Sequence, residues 1–426
     1  MHVLFTIDGT AGDVHPFMGI GQALVARGHR VSLCANEVYQ SLAVRYGFDF
    51  TPSGTREEFV ARANNLALAE PGSTFATTWR LLEPQMRGLF DLYSGQVRED
   101  TVMVSWSLPT FIARLVQEKH GVPLITSNIS PVSFFSAREF PAFPGMRGVG
   151  RLPYPARRAL RWLFSRRVVD RMVAPGFNGF RAELGLPPAK DILTHWKYSP
   201  QQVLGLFPDW FGTPQSDWPP NVTLVGFPMF DQGDAPPDPG LDEFLASGPA
   251  PLVFAPSSEA LERDIRPFFQ SALQTLSETG YRGIFLTKAA QHIPALPANV
   301  IHRSFVSYKQ LLPKAAALVH HGGIGSIAHA LAAGIPQLVM PCVFDQFDNA
   351  ERLHRIGGGV RLDQSRVAEM MPTVKALMQN AAIRDNCKSF QARMEPAAVV
   401  CAQAADVIER VARQHRGGAS PAPMTS

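Results

Sequence analysis

Two adjacent histidines, His320 and His321, run into the loop Gly322-Gly323-Ile324-Gly325-Ser326. A carboxylate and an amide, Asp345 and Gln346, follow one helix-like and one strand-like segment later. A glycine loop that opens a helix presents unpaired N–H groups and the positive end of the helix dipole, which suits an anion and most naturally a phosphate. The glycines let such a group approach the backbone, and a histidine there donates to a phosphate oxygen without carrying a permanent charge. Asp345 and Gln346 accept from and donate to neighbouring hydroxyls, as a sugar requires. Each feature also has a plainer reading. The glycines serve a tight strand-to-helix turn equally well, and Asp348 or Asn349 would cap a helix over "NAERLHR". The loop lacks the Rossmann glycine spacing and a Walker lysine, which argues against dinucleotide and P-loop sites.

The elements that hold these residues follow a βα rhythm. "AALVHH" reads as a strand, "SIAHALAAG" as a helix closed by Gly334, and "PQLVMP" and "GGVRL" as the next strands; "PLVFAPSS", a helix over 264–279, "RGIFLT" and "VIHRSF" precede them. The first half repeats the pattern in "HVLFTI", "FMGIGQALVARGHRV" and "VSLCAN", then in "TVMVSWS", "ARLVQEKHG" and "PLITSNIS". Strand, loop, helix and strand in such units imply parallel sheets with right-handed crossovers. The expected fold class is α/β, with two Rossmann-like doubly wound domains facing across a cleft. Ligands in such sheets bind beyond the carboxyl ends of the strands. The expected organisation is an N-terminal domain over 1–230, a Pro-, Gly- and Asp-rich linker over 231–248, and a C-terminal domain over 249–395. A helix over 396–414 returns to the N-terminal domain, and 415–426 is a disordered tail.

Composition sets the bounds. A chain of 426 residues exceeds what one core organises, and 46% hydrophobic against 18% charged residues describes a globular protein. The formal charge of +4 comes without a run of like charges, so nucleic acid is not an expected partner. Cys34, Cys342, Cys387 and Cys401 have no paired spacing, which suits buried thiols in a reducing compartment. The first apolar run, "HVLFTI", is too short for a signal peptide or a span, so a cytoplasmic protein is expected. No cluster with metal-ligand spacing is visible, and no metal or other cofactor is expected.

Taken together, residues 305–351 resemble the nucleotide-sugar signature of the family-one glycosyltransferases, which have the two-domain GT-B fold. The resemblance gives the diphosphate to His321, Gly323, Gly325 and Ser326, and the sugar to Asp345 and Gln346; His320 is left to packing. In this family an aromatic in a "W-x-P-Q" segment stacks on the nucleobase. Here "SFVSYKQLLP" puts Phe305 at that place without the Pro-Gln, and Val306 offers its backbone to the base edge. Stacking on one base contributes roughly 1–3 kcal/mol, which a phenylalanine can supply. In the loop "APSSEA", Ser257 and Ser258 stand as phosphate or ribose donors. The N-terminal loop "GTAGDVHP" resembles the acceptor-side loop of bacterial members, which implies a base there. Asp13 is favoured because a hydroxyl must lose its proton as it attacks and burial raises a carboxyl pKa; His15 is its competitor, and loop capping is open to both.

Beyond the signature, "SPQQVLGLFPDWFGTPQSDWPPNVTLVGFPMFD", "PCVFDQFDNAERL" and "AGDVHPF" resemble the rhamnosyltransferases of rhamnolipid biosynthesis. That likeness implies an inverting transfer of L-rhamnose from dTDP-L-rhamnose to the hydroxyl of a 3-(3-hydroxyalkanoyloxy)alkanoate, a lipid acceptor derived from hydroxy fatty acids. "APSSEALERD" departs from the Gly-Ser turn of those relatives, so UDP-glucose stays open as donor. "TTWRLLEPQMRGLFDLY" and "SFFSAREFPAFPGM" would wall an acyl chain with their aromatic and aliphatic side chains, or else pack a core. A lipid acceptor brings peripheral contact with the inner membrane into the expectation. Hydrolysis or epimerisation of the nucleotide sugar, and a sugar-nucleotide sensor or lipid-binding module without transfer, are the readings of other classes.

Overall fold

The computed structural model describes residues 1–68, 74–146, 148–230, 238–256 and 264–416. Tertiary contacts divide the chain into two units. One comprises Met1–Arg62, Gly72–Phe230 and Glu395–Ser426, the other Ala63–Pro71 and Asp231–Met394.

In the first unit β1 (His2–Ile7) is buried at every position. A parallel strand with neighbours on both edges and cover on both faces has no solvent side, so its sequence is a continuous apolar run. Around it lie β2 (Arg30–Ala35), β3 (Asp49–Pro52), β4 (Thr101–Trp106), β5 (Leu124–Asn128), β6 (Gln202–Gly205) and β7 (Val222–Leu224), in the order β3-β2-β1-β4-β5-β6-β7 with every pair parallel. The edge strand β3 is short and half exposed, and its sequence "DFTP" carries too little apolar signal to be singled out beforehand. The second unit has six strands, β8 (Leu252–Ala255), β9 (Gly283–Leu286), β10 (Val300–Arg303), β11 (Ala317–His320), β12 (Gln337–Val339) and β13 (Gly359–Arg361). Their order is β10-β9-β8-β11-β12-β13, again all parallel. These are the two doubly wound α/β domains that the βα rhythm predicts. In each sheet the strand order reverses direction at one place, between β1 and β4 and between β8 and β11.

The stretch read as a linker contains regular structure: Pro239–Ala246 is a helix of the second unit. Proline opens it at a position where no N–H is needed, and Asp238 caps it by accepting from the Leu241 N–H at 2.9 Å. Leu241 is buried against Val253 and Ile284, and Arg303 holds the capping carboxylate. Residues 231–237 of that stretch lie outside the described residues.

The last described helix, Ala397–Arg416, packs on the first, Ala11–Ala26. Val400, Cys401, Ala404, Ala405, Ile408, Val411 and Ala412 recur at helical spacing and are buried. Polar ties close the join: Arg27 donates to Asp406 at 2.7 Å and to the Ala402 carbonyl at 3.1 Å, and His29 bonds Glu409 at 2.9 Å. At Gly19 a Cβ would stand 2.9 Å from the Cys401 sulfur, so the two helices approach through a glycine. Gly19→Val should therefore destabilise the protein by about 1–3 kcal/mol through overpacking. Gly88→Ala, on the exposed face of the helix Met86–Gly95 with no neighbour at that point, should instead stabilise it by about 0.4–1 kcal/mol. Urea denaturation of the two variants beside the wild type checks both signs.

Candidate active site

In the second unit the chain leaves β11 at His320 and enters the helix Ile324–Ala333 through Gly322 and Gly323. His320 is fully buried. Its Nδ1 accepts from the Gly322 N–H at 3.2 Å, which places the ring proton on Nε2, facing the Gln337 side-chain oxygen at 3.0 Å. Burial, with His321 beside it, pushes the His320 pKa down to about 3, so the ring is a neutral brace for the loop. Gly322 has a φ of +92°, and a Cβ there would meet Val339 at 2.7 Å, so this turn admits only glycine.

His321 stands at the mouth of the helix. Burial holds its pKa down at about 4, with the Ala255 backbone at the end of β8 pulling the other way. That contact is a hydrogen bond with the Ala255 backbone, and the ring's Nε2 lies by Gly323, where a Cβ would stand 2.6 Å from it. The helix behind it has no acidic residue in its first turn to offset the dipole. At Gly325, in that first turn, a Cβ would point into open space. Glycine costs a helix about 1 kcal/mol relative to alanine, and no packing contact here requires it. Ser326 shares a hydrogen bond with the Tyr308 hydroxyl. Tyr308 lies three residues beyond Phe305, whose ring is 51% exposed, whereas Val306 is buried in the core. Ser257 and Ser258 lie outside the described residues.

After β12 the chain turns at Phe344, with φ +50°, into the helix Gln346–Arg355. The Gln346 side-chain oxygen accepts from the N–H groups of Cys342 at 2.9 Å and Val343 at 3.1 Å. That fixes the amide, so its NH2 is the end left to donate. Asp345 occupies the cap position. The capping role open to Asp348 or Asn349 is not what the structure shows, since both lie inside the helix. Asp348 instead pairs with Arg352 one turn on, at 2.5 Å, with both side chains buried. Asn349, fully buried, donates to the Gly322 carbonyl at 3.2 Å and to Asp345 Oδ2 at 2.8 Å. One amide thus ties the glycine loop to the Asp-Gln loop.

In the first unit, Thr10 is the N-cap of the helix Ala11–Ala26 and Asp13 completes a capping box, accepting from the Thr10 N–H at 2.8 Å. The capping role is therefore real. The same carboxylate does more: its Oδ1 accepts from the indole N–H of Trp106, at the end of β4, at 2.7 Å. Burial raises the Asp13 pKa despite these hydrogen bonds, which pull it down, and Asp8 nearby adds to the rise. Asp8 itself is clamped by Arg62 through two contacts of 2.5 and 2.6 Å. His15, two residues on along the helix, turns elsewhere and packs edge-on against Phe230 at 5.3 Å.

Comparison with known proteins fits this geometry. Residues 3–136 match the glycosyltransferase family 28 N-terminal domain, and residues 282–411 match the C-terminal domain of erythromycin biosynthesis protein CIII-like proteins. The chain is a family-one glycosyltransferase of the GT-B fold. It is 27% identical over 406 residues to an O-mycaminosyltylonolide 6-deoxyallosyltransferase of Streptomyces fradiae, covering 92% of each chain. Its fold is that of the calicheamicin glycosyltransferase CalG4, with a TM-score of 0.71 over 99% of both chains at 18% identity. The spinosyn rhamnosyltransferase SpnG complexed with thymidine diphosphate superposes with a TM-score of 0.61 over 98% of this chain and 99% of that one, at 18% identity.

Within this glycosyltransferase His321, Gly323, Gly325, Ser326, Asp345 and Gln346 gather beyond the ends of β11 and β12, Phe305 and Val306 follow β10, and Asp13 sits beyond the end of β1 in the other unit. Two contributors went unrecognised. Trp106 reads as the last residue of an apolar strand, and only the β1–β4 register, which pairs Ile7 with Trp106, brings it to Asp13. Asn349 reads as a cap and proves to be a tie. The acyl wall proposed over 77–93 is corrected: Trp79, Leu82, Met86, Phe90 and Tyr93 are buried in the core of the first unit. Helical spacing turned those side chains inward, onto Phe111 and Phe177 among others. Replacing Asn349 by Ala should cost about 1–3 kcal/mol, because it strips the buried Gly322 carbonyl of its side-chain donor. Chemical denaturation reads that loss. Binding of a nucleotide sugar should weaken in parallel, measured by calorimetry, because both ligand loops lose their common anchor.

Proposed function

We propose that this nucleotide-sugar-dependent glycosyltransferase holds the donor diphosphate on His321 and the start of the Ile324–Ala333 helix, and inverts the anomeric centre in one displacement. The observation that carries the reading is the glycine-lined start of a helix with no acid of its own, with the His321 ring beside Gly323 at its mouth. Free N–H groups and the positive end of the helix dipole suit a phosphate, and the same helix end offsets the charge that grows on the leaving diphosphate. This reading calls for no metal ion. Asp345 and the NH2 of Gln346 then meet the sugar hydroxyls, and exposed Phe305 stacks on the base, with Val306 beside it.

In the proposed step Asp13 takes the proton of the acceptor hydroxyl as its oxygen attacks the anomeric carbon, and the bond from that carbon to the diphosphate oxygen breaks. Trp106 and Thr10 fix the carboxylate, and its raised pKa makes it a better base. The packing of His15 against Phe230 favours Asp13 of the two candidates. For the donor we propose dTDP-L-rhamnose, supported by the likeness to a 6-deoxysugar transferase and to a rhamnosyltransferase seen with thymidine diphosphate. For the acceptor we propose the hydroxyl of a 3-(3-hydroxyalkanoyloxy)alkanoate, supported by the resemblance of the segments around 199–231 and 341–353 to rhamnolipid enzymes.

Incubation with dTDP-L-rhamnose or UDP-glucose and the hydroxyalkanoyl lipid, read by mass spectrometry, separates the donors. Release of free sugar without glycolipid would mean hydrolysis, and no turnover with tight donor binding would mean a sensor. Asp13→Asn should leave donor affinity nearly unchanged and reduce turnover by about 10²–10⁴-fold. The base must be ionised, so wild-type activity should fall as pH drops through the raised Asp13 pKa, and this acid limb should vanish from the residual activity of the variant. Near-normal turnover in Asp13→Asn would transfer the role to His15.

A further inference from the structure

The segment following β5 carries a surface that the proposed chemistry leaves unused. The helix Tyr154–Phe164 runs on through a wider turn, Ser165–Val169, into the helix Asp170–Glu183. Its inner side is well occupied. Phe164 stacks on Phe135 at 5.5 Å, Tyr154 lies under Arg138, Arg157 donates to the Arg138 carbonyl at 2.8 Å, and Arg161 faces Asp217 at 3.3 Å. The outer side shows the reverse of what water favours. Trp162 is 55% exposed, against 1% for Trp79 and 8% for Trp218, and Leu152, Leu160, Leu163 and Val168 are exposed around it. Single exposed apolar residues are ordinary, but a contiguous group centred on a tryptophan marks a binding surface.

Charge identifies the occupant. Residues 151–171 contain seven arginines and one acid, Asp170, a net of +6 in a chain whose total is +4. Asp170 is turned inward and accepts from the backbone N–H groups of Asp191 and Ile192 at 3.0 and 3.1 Å. Arg166 is paired with Asp191. Arg151, Arg158, Arg167 and Arg171 make no ion pair among the described residues, and all four are exposed. A second copy of this chain seated on the patch would oppose arginine to arginine, which costs free energy. A surface that is negative outside and apolar just beneath satisfies both halves at once. Tryptophan and leucine enter the acyl boundary while arginines bond lipid phosphates and snorkel their stems along the apolar layer.

We propose that residues 151–171 dock this glycosyltransferase on the surface of an anionic phospholipid bilayer, with Trp162 and Leu163 inserted and Arg151, Arg158, Arg167 and Arg171 on the headgroups. None of the described helices is long and apolar enough to cross a membrane, so the contact is one of lying on the bilayer. The docking rests on the lipid-acceptor reading only for its purpose, namely access to an acceptor that partitions into the bilayer. Its physical basis is independent of that reading.

Flotation of the full chain with vesicles tests it. The protein should rise with vesicles of phosphatidylethanolamine and phosphatidylglycerol, stay behind with phosphatidylcholine alone, and be released by about 0.5 M salt, where screening is nearly complete over a few ångströms. Arg158→Gln and Arg167→Gln should each lower vesicle affinity about five-fold. The double variant Trp162→Asp, Leu163→Asp should no longer float while its melting temperature and donor affinity stay those of the wild type. A wild type that floats with neither vesicle overturns the proposal, as does a double variant that floats undiminished. A concentration-dependent dimer in sedimentation, lost in the double variant, would assign the patch to self-association instead. If the wild type floats yet glycosylates no lipid, the docking stands and the acceptor reading falls.

Discussion

Two strands that run the same way cannot be joined by a hairpin; the chain must cross a face of the sheet to return. Where crossovers on neighbouring strands depart in opposite directions, no connection covers the strand ends. Both sheets of this protein have one such place, and Asp13, Trp106 and the His320-His321 pair stand there, with Asp345 and Gln346 beyond the next strand, β12. In the first unit it lies between β1 and β4, the strands that deliver Asp13 and Trp106. In the second it lies between β8 and β11, which deliver the Ala255 carbonyl and the His320-His321 pair. The parallel register is therefore more than a packing solution. It decides which side chains can meet.

The supporting shell is then built from side chains that have lost their freedom to do anything else. His320 is neutral, buried and committed at both ring nitrogens. Gln346 spends its oxygen on its own turn, which leaves one end of the amide available. Asn349 bridges two loops and is positioned by the helix it belongs to. On the other unit Thr10 and Trp106 divide the Asp13 carboxylate between a cap and a strand end. Each of these ties is short-range, and each removes an alternative orientation that a ligand would otherwise have to freeze out on binding.

Much of this was legible from residue order. Glycine loops, continuous apolar strands and the Asp-Gln pair are local patterns, and local patterns survive translation into structure. What escaped depends on partners distant in the chain. Trp106 and Asp13 are separated by 93 residues, and Asn349 reaches back 27 residues to Gly322. The aromatic residues of 77–93 misled for a related reason: the spacing that would line a pocket is the spacing that packs a core. The helix at Pro239–Ala246 was hidden by composition, because proline and aspartate begin helices as readily as they break them.

The pairing of the first and last helices has a consequence for how the chain comes into being. Arg27 and Ala402 are 375 positions apart, yet the helix bearing one is the seat for the helix bearing the other. A ribosome finishes residues 231–394, and so the second unit, before the final strip of apolar surface for the first unit exists. The half of the protein made first is then the half completed last. During that interval the seat around Gly19 is uncovered. A premature stop near the end of the message would accordingly injure the beginning of the protein.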